Sequence, residues 1–538
     1  MTSRRTRTIT LVTGLVVGVP ALLLTGAGVA APSTQEGLGA QAAQPGTPDL
    51  IPRPVSYDAE PDDEFELGMF SRVVVPVNDR ETRTVALKFA KHLRNPTGFG
   101  LPVTVGEARD GDITLSTSGP GSLGDEGYQL MVDDDQVSVV AHTAEGVFRG
   151  LTTLRQLLPP EVEAQTKQPG PWLVEGAEIT DEPRFDYRGT MLDVSRHFFS
   201  VDEVKRYIDL ASLYKINTLH LHLADDQGWR IQVDAWPRLT TYGGSLEVGG
   251  TPGGSYSKGQ FAEIVRYAAD HYIEIVPEID TPGHTNAALA SYADLNCDGI
   301  APPLYTGTSV GFSSLCIPKP ITYEFLDDVF REVAEQSPGP RIHLGGDEAH
   351  VTPHEQYLEF VPKAAALVTK RGKTVQGWQE IAETPLPPGS TAQYWGTGDS
   401  RSAGLARMAV AQGAKVLMSP ANHVYLDMKY DENTPYGLRW AGLIPVQKAY
   451  DWDPATLVAG VSEEDVIGVE APLWSETLDE ISKAEFMAFP RLPGVAEIGW
   501  TPAADRSWDE YKNRLGGQAP RWGVMDVNYF AAEEIPWR

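Results

Sequence analysis

The chain has 538 residues, longer than one ordinary domain and long enough for a barrel-sized domain with a smaller companion. Hydrophobic residues make up 41% of it, which excludes a globally disordered chain. Asp plus Glu number 73 against 44 Lys plus Arg, a formal charge of -29, and a surface of that sign repels phosphate backbones and argues against nucleic acid as a partner.

Arg4, Arg5 and Arg7 open the chain, and an apolar run from Ile9 to Leu24 follows, interrupted by Gly14, Gly18 and Pro20. Small residues then lead to Ala30 and Ala31. This pattern predicts a secretory signal peptide over residues 1–31, and hence a secreted, extracellular protein. The apolar stretch is short for a membrane span and its end favours cleavage, so no stable membrane association is expected afterwards. The Arg4-Arg5 pair suggests twin-arginine export, but the residues behind it fit that signal poorly. Residues 32–50, rich in Ala, Gln, Gly and Pro, read as a disordered leader.

Residues 51–180 have a mixed texture. "RVVVPV" and "QVSVVAHT" look like strands, while "TRTVALKFAKHLRNPTG" and "EGVFRGLTTLRQLLP" have helical spacing. A small α+β domain is expected, with Pro159-Pro160 and "EVEAQTKQPGPW" marking its end. From there to residue 538, short apolar runs alternate with helical segments such as "VDEVKRYIDLASLYK". The runs are "GTMLDV", "NTLHLHL", "IEIVPEID", "RIHLGGDE", "KTVQGW", "TAQYW", "AKVLMS" and "GVEAPLW". Eight strand-like runs over this length predict a (β/α)8 TIM barrel across residues 181–538, with a doubly wound sheet as the alternative. Residues able to do chemistry collect where the runs end: Asp193 and Arg196, Asp225 and Asp226, Glu278, Asp280 and His284, Asp347 and Glu348, Trp378, Trp395, Tyr425 and Asp427, Trp474 and Glu476. Barrel enzymes build their sites at those ends, and scattered surface carboxylates would show no such phase.

Within "HLGGDEAH", Gly345 and Gly346 precede the adjacent carboxylates Asp347 and Glu348. Neighbours on a regular strand point to opposite faces, but two glycines can relax that geometry and let both acids serve one cavity. Paired carboxylates are the usual equipment for cleaving glycosidic bonds. Trp378, Trp395, Trp440 and Trp474 fall in the same half, and aromatic rings pack on the C–H faces of sugars as readily as they fill cores. His220 and His222 share a strand face near Asp225, which would suit a metal, yet the ligand set is incomplete and a structural role is the simpler one. The chain's two cysteines, Cys297 and Cys316, flank a Pro/Gly-rich stretch. Export favours their pairing as a disulfide that holds a surface loop, worth about 3 kcal/mol in the chain-entropy account.

Taken in order, "LDVSRHFF", "HLHLADDQGWR", "PEIDTPGHTNAAL", "HLGGDEAH", "QYWG", "YLDMKY" and "EAPLWSE" resemble the bacterial β-N-acetylhexosaminidases of glycoside hydrolase family 20. The resemblance spans about residues 185–538, and 51–180 is similar to the small domain that precedes the barrel there. It implies an exo-acting retaining hydrolase, free of metal and cofactor, that removes terminal β-linked N-acetylglucosamine or N-acetylgalactosamine from oligosaccharides such as chitin fragments. It implies too a mechanism in which the substrate's own 2-acetamido group is the nucleophile. The implied roles are Glu348 as acid and base, Asp347 and Tyr425 on the acetamide, and Trp378, Trp395 and Trp474 around it. Arg196, Asp427 and Glu476 would then bind hydroxyls, Asp225 and His284 would support Glu348, and Trp440 would shape the sugar site. On this reading Glu348 should have a raised pKa while Asp347 stays charged. A disaccharide-releasing relative and a non-catalytic sugar-binding protein are the alternatives.

Overall fold

The computed structural model describes residues 48–538, so the expected signal peptide and nearly all of the leader lie outside the described residues. A seven-stranded mixed sheet comes first: β1 (Ser56–Glu66), β2 (Val73–Val75), β3 (Val103–Val105), β4 (Asp112–Ser116), β5 (Tyr128–Val132), β6 (Gln136–Ala141) and β7 (Leu173–Asp181). Their order across the sheet is β1-β7-β5-β6-β4-β2-β3. Along β5 and β6 every second residue is buried, the period of a sheet covered on one face. The cover is a pair of helices, Arg80–Thr97 and Ala144–Leu157, whose Val85, Phe89, Leu93, Val147, Leu151 and Leu154 enter the sheet's core. Each helix starts on a side-chain cap, Asp79 accepting from the Thr82 amide and Thr143 from the Gly146 amide.

Two strands depart from the sequence pattern. β1, "SYDAEPDDEFE", is acidic and contains Pro61, yet it pairs with β7 as an edge. Exposed charge on an edge strand also discourages further pairing. β7 follows the Pro-rich stretch that the sequence suggests as the domain's end, and it returns to the sheet between β1 and β5. That stretch is therefore a loop within the domain.

The eight apolar runs form eight parallel strands of a closed barrel, so the doubly wound alternative falls. They are β8 (Tyr187–Asp193), β9 (Thr218–His222), β10 (Glu274–Glu278), β11 (Arg341–His343), β12 (Thr374–Trp378), β13 (Thr391–Tyr394), β14 (Lys415–Met418) and β15 (Val466–Leu473), and β15 pairs with β8 to close the ring. One connection breaks the helical alternation: β12 reaches β13 through a short 3-10 segment, Gln379–Glu383, without an α-helix. Along β9, Leu219 and Leu221 pack with the surrounding helices while His220 and His222 join buried polar groups. The barrel interior is accordingly polar. Glu470 accepts from His220 at 2.9 Å and from Gln393 at 2.6 Å, and Gln376 donates to Gln393 at 3.0 Å.

A buried polar joint ties sheet to barrel. Asp181, at the end of β7, accepts from Lys215 at 2.8 Å, from Tyr128 at 2.6 Å and from the Trp500 indole at 2.8 Å. Nearby, burial alone would raise the Glu126 carboxyl, but Arg188 and Arg149 bring it down to about 2. No helix among the described residues is long and apolar enough to cross a membrane.

Candidate active site

β11 stops at His343, and the chain leaves strand geometry through Gly345 and Gly346, at φ 73° and 105°. A side chain at Gly345 would overlap the Asp280 carboxylate, so glycine is required both for conformation and for space. The turn is pinned by the Gly346 amide, which donates to Asp280 at 3.2 Å, and by the Tyr357 hydroxyl, which donates to the Gly346 carbonyl at 2.6 Å. Glu348 itself sits at φ 43°, a conformation that non-glycine residues adopt when their surroundings dictate it. The outcome is the shared cavity expected from the sequence: His284 Nε2 lies 3.7 Å from Asp347 and 3.5 Å from Glu348.

Behind these two acids runs a continuous series of buried groups. His284 Nδ1 lies 3.2 Å from Asp225. Asp225 in turn faces His222 at 2.7 Å and Arg196 at 2.8 Å. His222 contacts Glu278, which also receives His343 at 2.8 Å and the Trp378 indole at 2.9 Å. His220 lies 3.0 Å from Glu278 and 2.9 Å from Glu470. Both ring nitrogens of His220 and of His222 thus lie within 3.0 Å of carboxylates, the charge pairing expected of buried structural histidines.

Burial disfavours charge on His284, but Asp225, Asp280 and Asp347 outweigh it and hold the imidazole protonated well above the usual histidine range. Asp280, buried beside Asp347, is pushed well above the usual carboxylate range. Burial also raises Asp347, with His284 opposing and Glu348 adding to the shift, up to about 6. Desolvation falls on Asp347, which stands deeper, whereas the Glu348 side chain is 26% exposed.

Aromatic rings surround this centre. Trp378 and Trp474 lie 5.8 Å apart, Trp474 and Tyr425 6.3 Å, and Tyr425 and Trp440 5.8 Å. Trp395 stands edge-on to Trp440 at 6.1 Å, and Trp440, 54% exposed, forms the rim. Arg196 lies over the Trp474 ring at 4.7 Å. Burial raises the Asp427 carboxyl and the charge of Glu476 adds to the shift. Burial raises Glu476 as well, against the pull of Arg196. Buried polar atoms normally find partners. Here Arg196 Nε, His284 Nε2, Asp347 Oδ1, both Asp427 oxygens and Glu476 Oε2 have no hydrogen-bond partner among the described residues. Polar atoms in a ring of tryptophans, each free of protein partners, are what a polyhydroxylated ligand requires.

Sequence reasoning missed Glu380, just past the end of β12. It accepts from the Trp395 indole at 3.0 Å, while Gln379 accepts from the Trp395 amide at 3.3 Å. Burial and the charge of Asp347 push Glu380 up to about 8. A signal for it exists, because Glu380 follows a strand end as the other site acids do. The disulfide Cys297–Cys316 forms, and the loop it closes does more than cover surface. Gly311 packs against the Glu348 carbonyl, Ser313 bonds Asp226, and Ser314 meets Thr352 at 2.6 Å. The loop thus braces the segment that carries Glu348.

Comparison with known proteins agrees with this geometry. The model described as "Glycosyl hydrolase family 20, catalytic domain" matches residues 185–359 and 350–503, and "Glycosyl hydrolase family 20, domain 2" matches 47–182. A beta-N-acetylhexosaminidase of Cellulomonas fimi is 42% identical over 490 residues, 91% of this chain and 97% of that one. The solved GH20 beta-N-acetylhexosaminidase of Streptomyces coelicolor A3(2) superposes with a TM-score of 0.89 at 52% identity, covering 91% of this chain and 99% of that chain. A variant of Streptomyces plicatus beta-hexosaminidase in complex with the product GlcNAc gives 0.89 at 51%, covering 91% and 98%. The chain therefore belongs to glycosyl hydrolase family 20, with both the catalytic barrel and the domain that precedes it.

Proposed function

We propose that this glycoside hydrolase is an exo-acting β-N-acetylhexosaminidase that retains configuration through its substrate's acetamide. The observation that carries the reading is that Asp347 and Glu348 share His284, the Tyr425 and Trp474 rings lie 6.3 Å apart, and buried polar atoms of Arg196, Asp347, Asp427 and Glu476 are left without protein partners. In the first step Glu348 protonates the glycosidic oxygen as the acetamide carbonyl oxygen attacks the anomeric carbon. The bond to the leaving group breaks and an oxazolinium ion remains. Asp347 accepts a hydrogen bond from the acetamide nitrogen and opposes its positive charge, while Tyr425 donates to the acetamide oxygen. In the second step water attacks the anomeric carbon, gives its proton to Glu348 and restores the acetamide. Trp378, Trp395 and Trp474 enclose the acetamide, and Arg196, Asp427 and Glu476 hold ring hydroxyls. Their depth supports a pocket for one terminal sugar rather than two.

The substrates on this reading are N-acetylhexosamine-terminated oligosaccharides, N-acetylglucosamine and N-acetylgalactosamine alike, and chitin fragments among them. The positively charged, then apolar start of the chain supports secretion, and the disulfide accords with an oxidising compartment. The deciding experiment compares aryl β-glycosides with and without the 2-acetamido group, using wild type and Glu348→Gln. Wild type should cleave only the acetamido sugar. Glu348→Gln should lose at least about a hundredfold in kcat on a poor leaving group and much less on a good one. Equal turnover of both glycosides by wild type rejects assistance by the substrate.

A further inference from the structure

The 3-10 segment Gln379–Glu383 touches two parts of the site at once. On one side the buried Ile381 packs directly on Gly346, where an added side-chain carbon would come within 2.7 Å of it. Gly346 belongs to the turn that presents Asp347. On the other side Glu380 Oε2 accepts from the Trp395 indole at 3.0 Å, and Gln379 Oε1 accepts from the Trp395 amide at 3.3 Å. Gln379 is held in its turn, donating to Ser402 Oγ at 2.9 Å at the start of the helix Ser400–Ala411. The segment is therefore fixed from beneath and from behind, and it reaches Trp395 with a side-chain acceptor.

Trp395 needs such an acceptor. It is only partly buried, against Tyr425 and Met428, whereas Trp378 is fully buried. The torsion that turns an indole plane has a broad well, so packing on one face leaves the ring free to tilt. A hydrogen bond at the ring nitrogen removes that freedom. The two indoles are pinned alike, Trp378 by Glu278 at 2.9 Å and Trp395 by Glu380. Glu380 is also free for this task. The nearby Arg401 pairs with Glu383 at 3.0 Å, and among the described residues no ion pair engages Glu380. Burial and the charge of Asp347 keep its carboxyl protonated at neutral pH, so it adds no second negative charge beside Asp347.

We propose that Glu380 is a positioning residue: it fixes the plane of the Trp395 ring and so sets which acyl group on the sugar nitrogen the pocket admits. The inference rests on the glycosidase reading of that pocket. A ring held at one tilt closes the space beyond an acetyl group, and one surplus methylene in such a space costs about tenfold or more in kcat/KM. A ring free to tilt gives way to the longer chain.

The test uses the full chain and three aryl β-glucosides, bearing N-acetyl, N-propionyl or no acylamido group at C2. Wild type should prefer acetyl to propionyl by at least about tenfold in kcat/KM, and Glu380→Ala should shrink that ratio about tenfold. Glu380→Gln keeps an uncharged side chain with an acceptor oxygen and should hold the ratio within about twofold of wild type. Trp395→Phe cuts the same hydrogen bond from its other end, so its ratio should fall as in Glu380→Ala, and the double variant should fall no further. It carries the test if Glu380→Ala does not fold. Turnover that falls on both acylated substrates with the ratio unchanged makes Glu380 a support of the turn alone, and a ratio that falls equally in Glu380→Gln moves the effect from Trp395 to charge; each result overturns the proposal, as does a wild type indifferent to the acyl group. Equal cleavage by wild type of the glucoside without an acylamido group rejects instead the glycosidase reading beneath it.

Discussion

Asp347 carries opposed demands. On the proposed reading it is ionised to face a developing cation, yet burial raises it to about 6. Since this folded-state value lies above the 3.8 of an ordinary aspartate, ionising it costs stability. The cost is absent below about pH 4, grows between about 4 and 6 and is complete above about 6. Asp347→Asn should therefore unfold at a higher temperature than wild type at pH 8, with a gain of about 3 kcal/mol that vanishes by about pH 4, checked by thermal unfolding across pH. A variant that is no more stable at pH 8 would contradict the strain assigned to this carboxylate. The place of both acids is legible in "HLGGDEAH", but not the rise of the Asp347 carboxyl, because its surroundings include Asp280, His284 and Glu278, which come from another strand and the loop after it. Glu380 escaped notice for a related reason: its proximity to Asp347 and to Trp395 arises only when β12 pairs with β11 on one side and β13 on the other.

The strands of the barrel were legible because each is a short run with apolar residues and a chemical residue at its end, and nearly every position is buried, as in parallel strands covered on both faces. β1 was not, since eleven mostly polar residues with a proline carry no period of two, and only its partner β7 makes it a strand. The glycines of "HLGGDE" belong to the legible part, and their role can be tested. Gly345→Ala places a side chain against Asp280 at φ 73°, so it should cost more than about 2 kcal/mol and displace Asp347 and Glu348 together. Denaturant unfolding and turnover should fall in parallel. A fully active and stable alanine variant would show that the turn relaxes without the glycine.

Sheet and barrel share the joint at Asp181, and Trp500, from a barrel helix, packs in the core of the smaller domain. Lys215 is buried there with its charge opposite Asp181. Lys215→Ala leaves that carboxylate unpaired and should destabilise the protein by about 3–5 kcal/mol, whereas removing both charges together should cost less. Unfolding of the single and double variants, monitored by calorimetry, separates the two outcomes. If the single variant is as stable as wild type, the joint does not hold the domains together. No composition or periodicity argument finds this joint, because its members lie at positions 128, 181, 215 and 500. The missing helix after β12 bears on the enzyme's history instead. The outer layer there is a single 3-10 segment, and that segment carries both residues that hold Trp395. Ile381 and Ala382 of that segment are buried in the barrel's core, and Gln379 donates to Ser402 of the helix Ser400–Ala411, so the chain between β12 and β13 changes only together with that helix, and on the proposed reading the wall beside the substituent on the sugar nitrogen is among the parts of the barrel held against divergence.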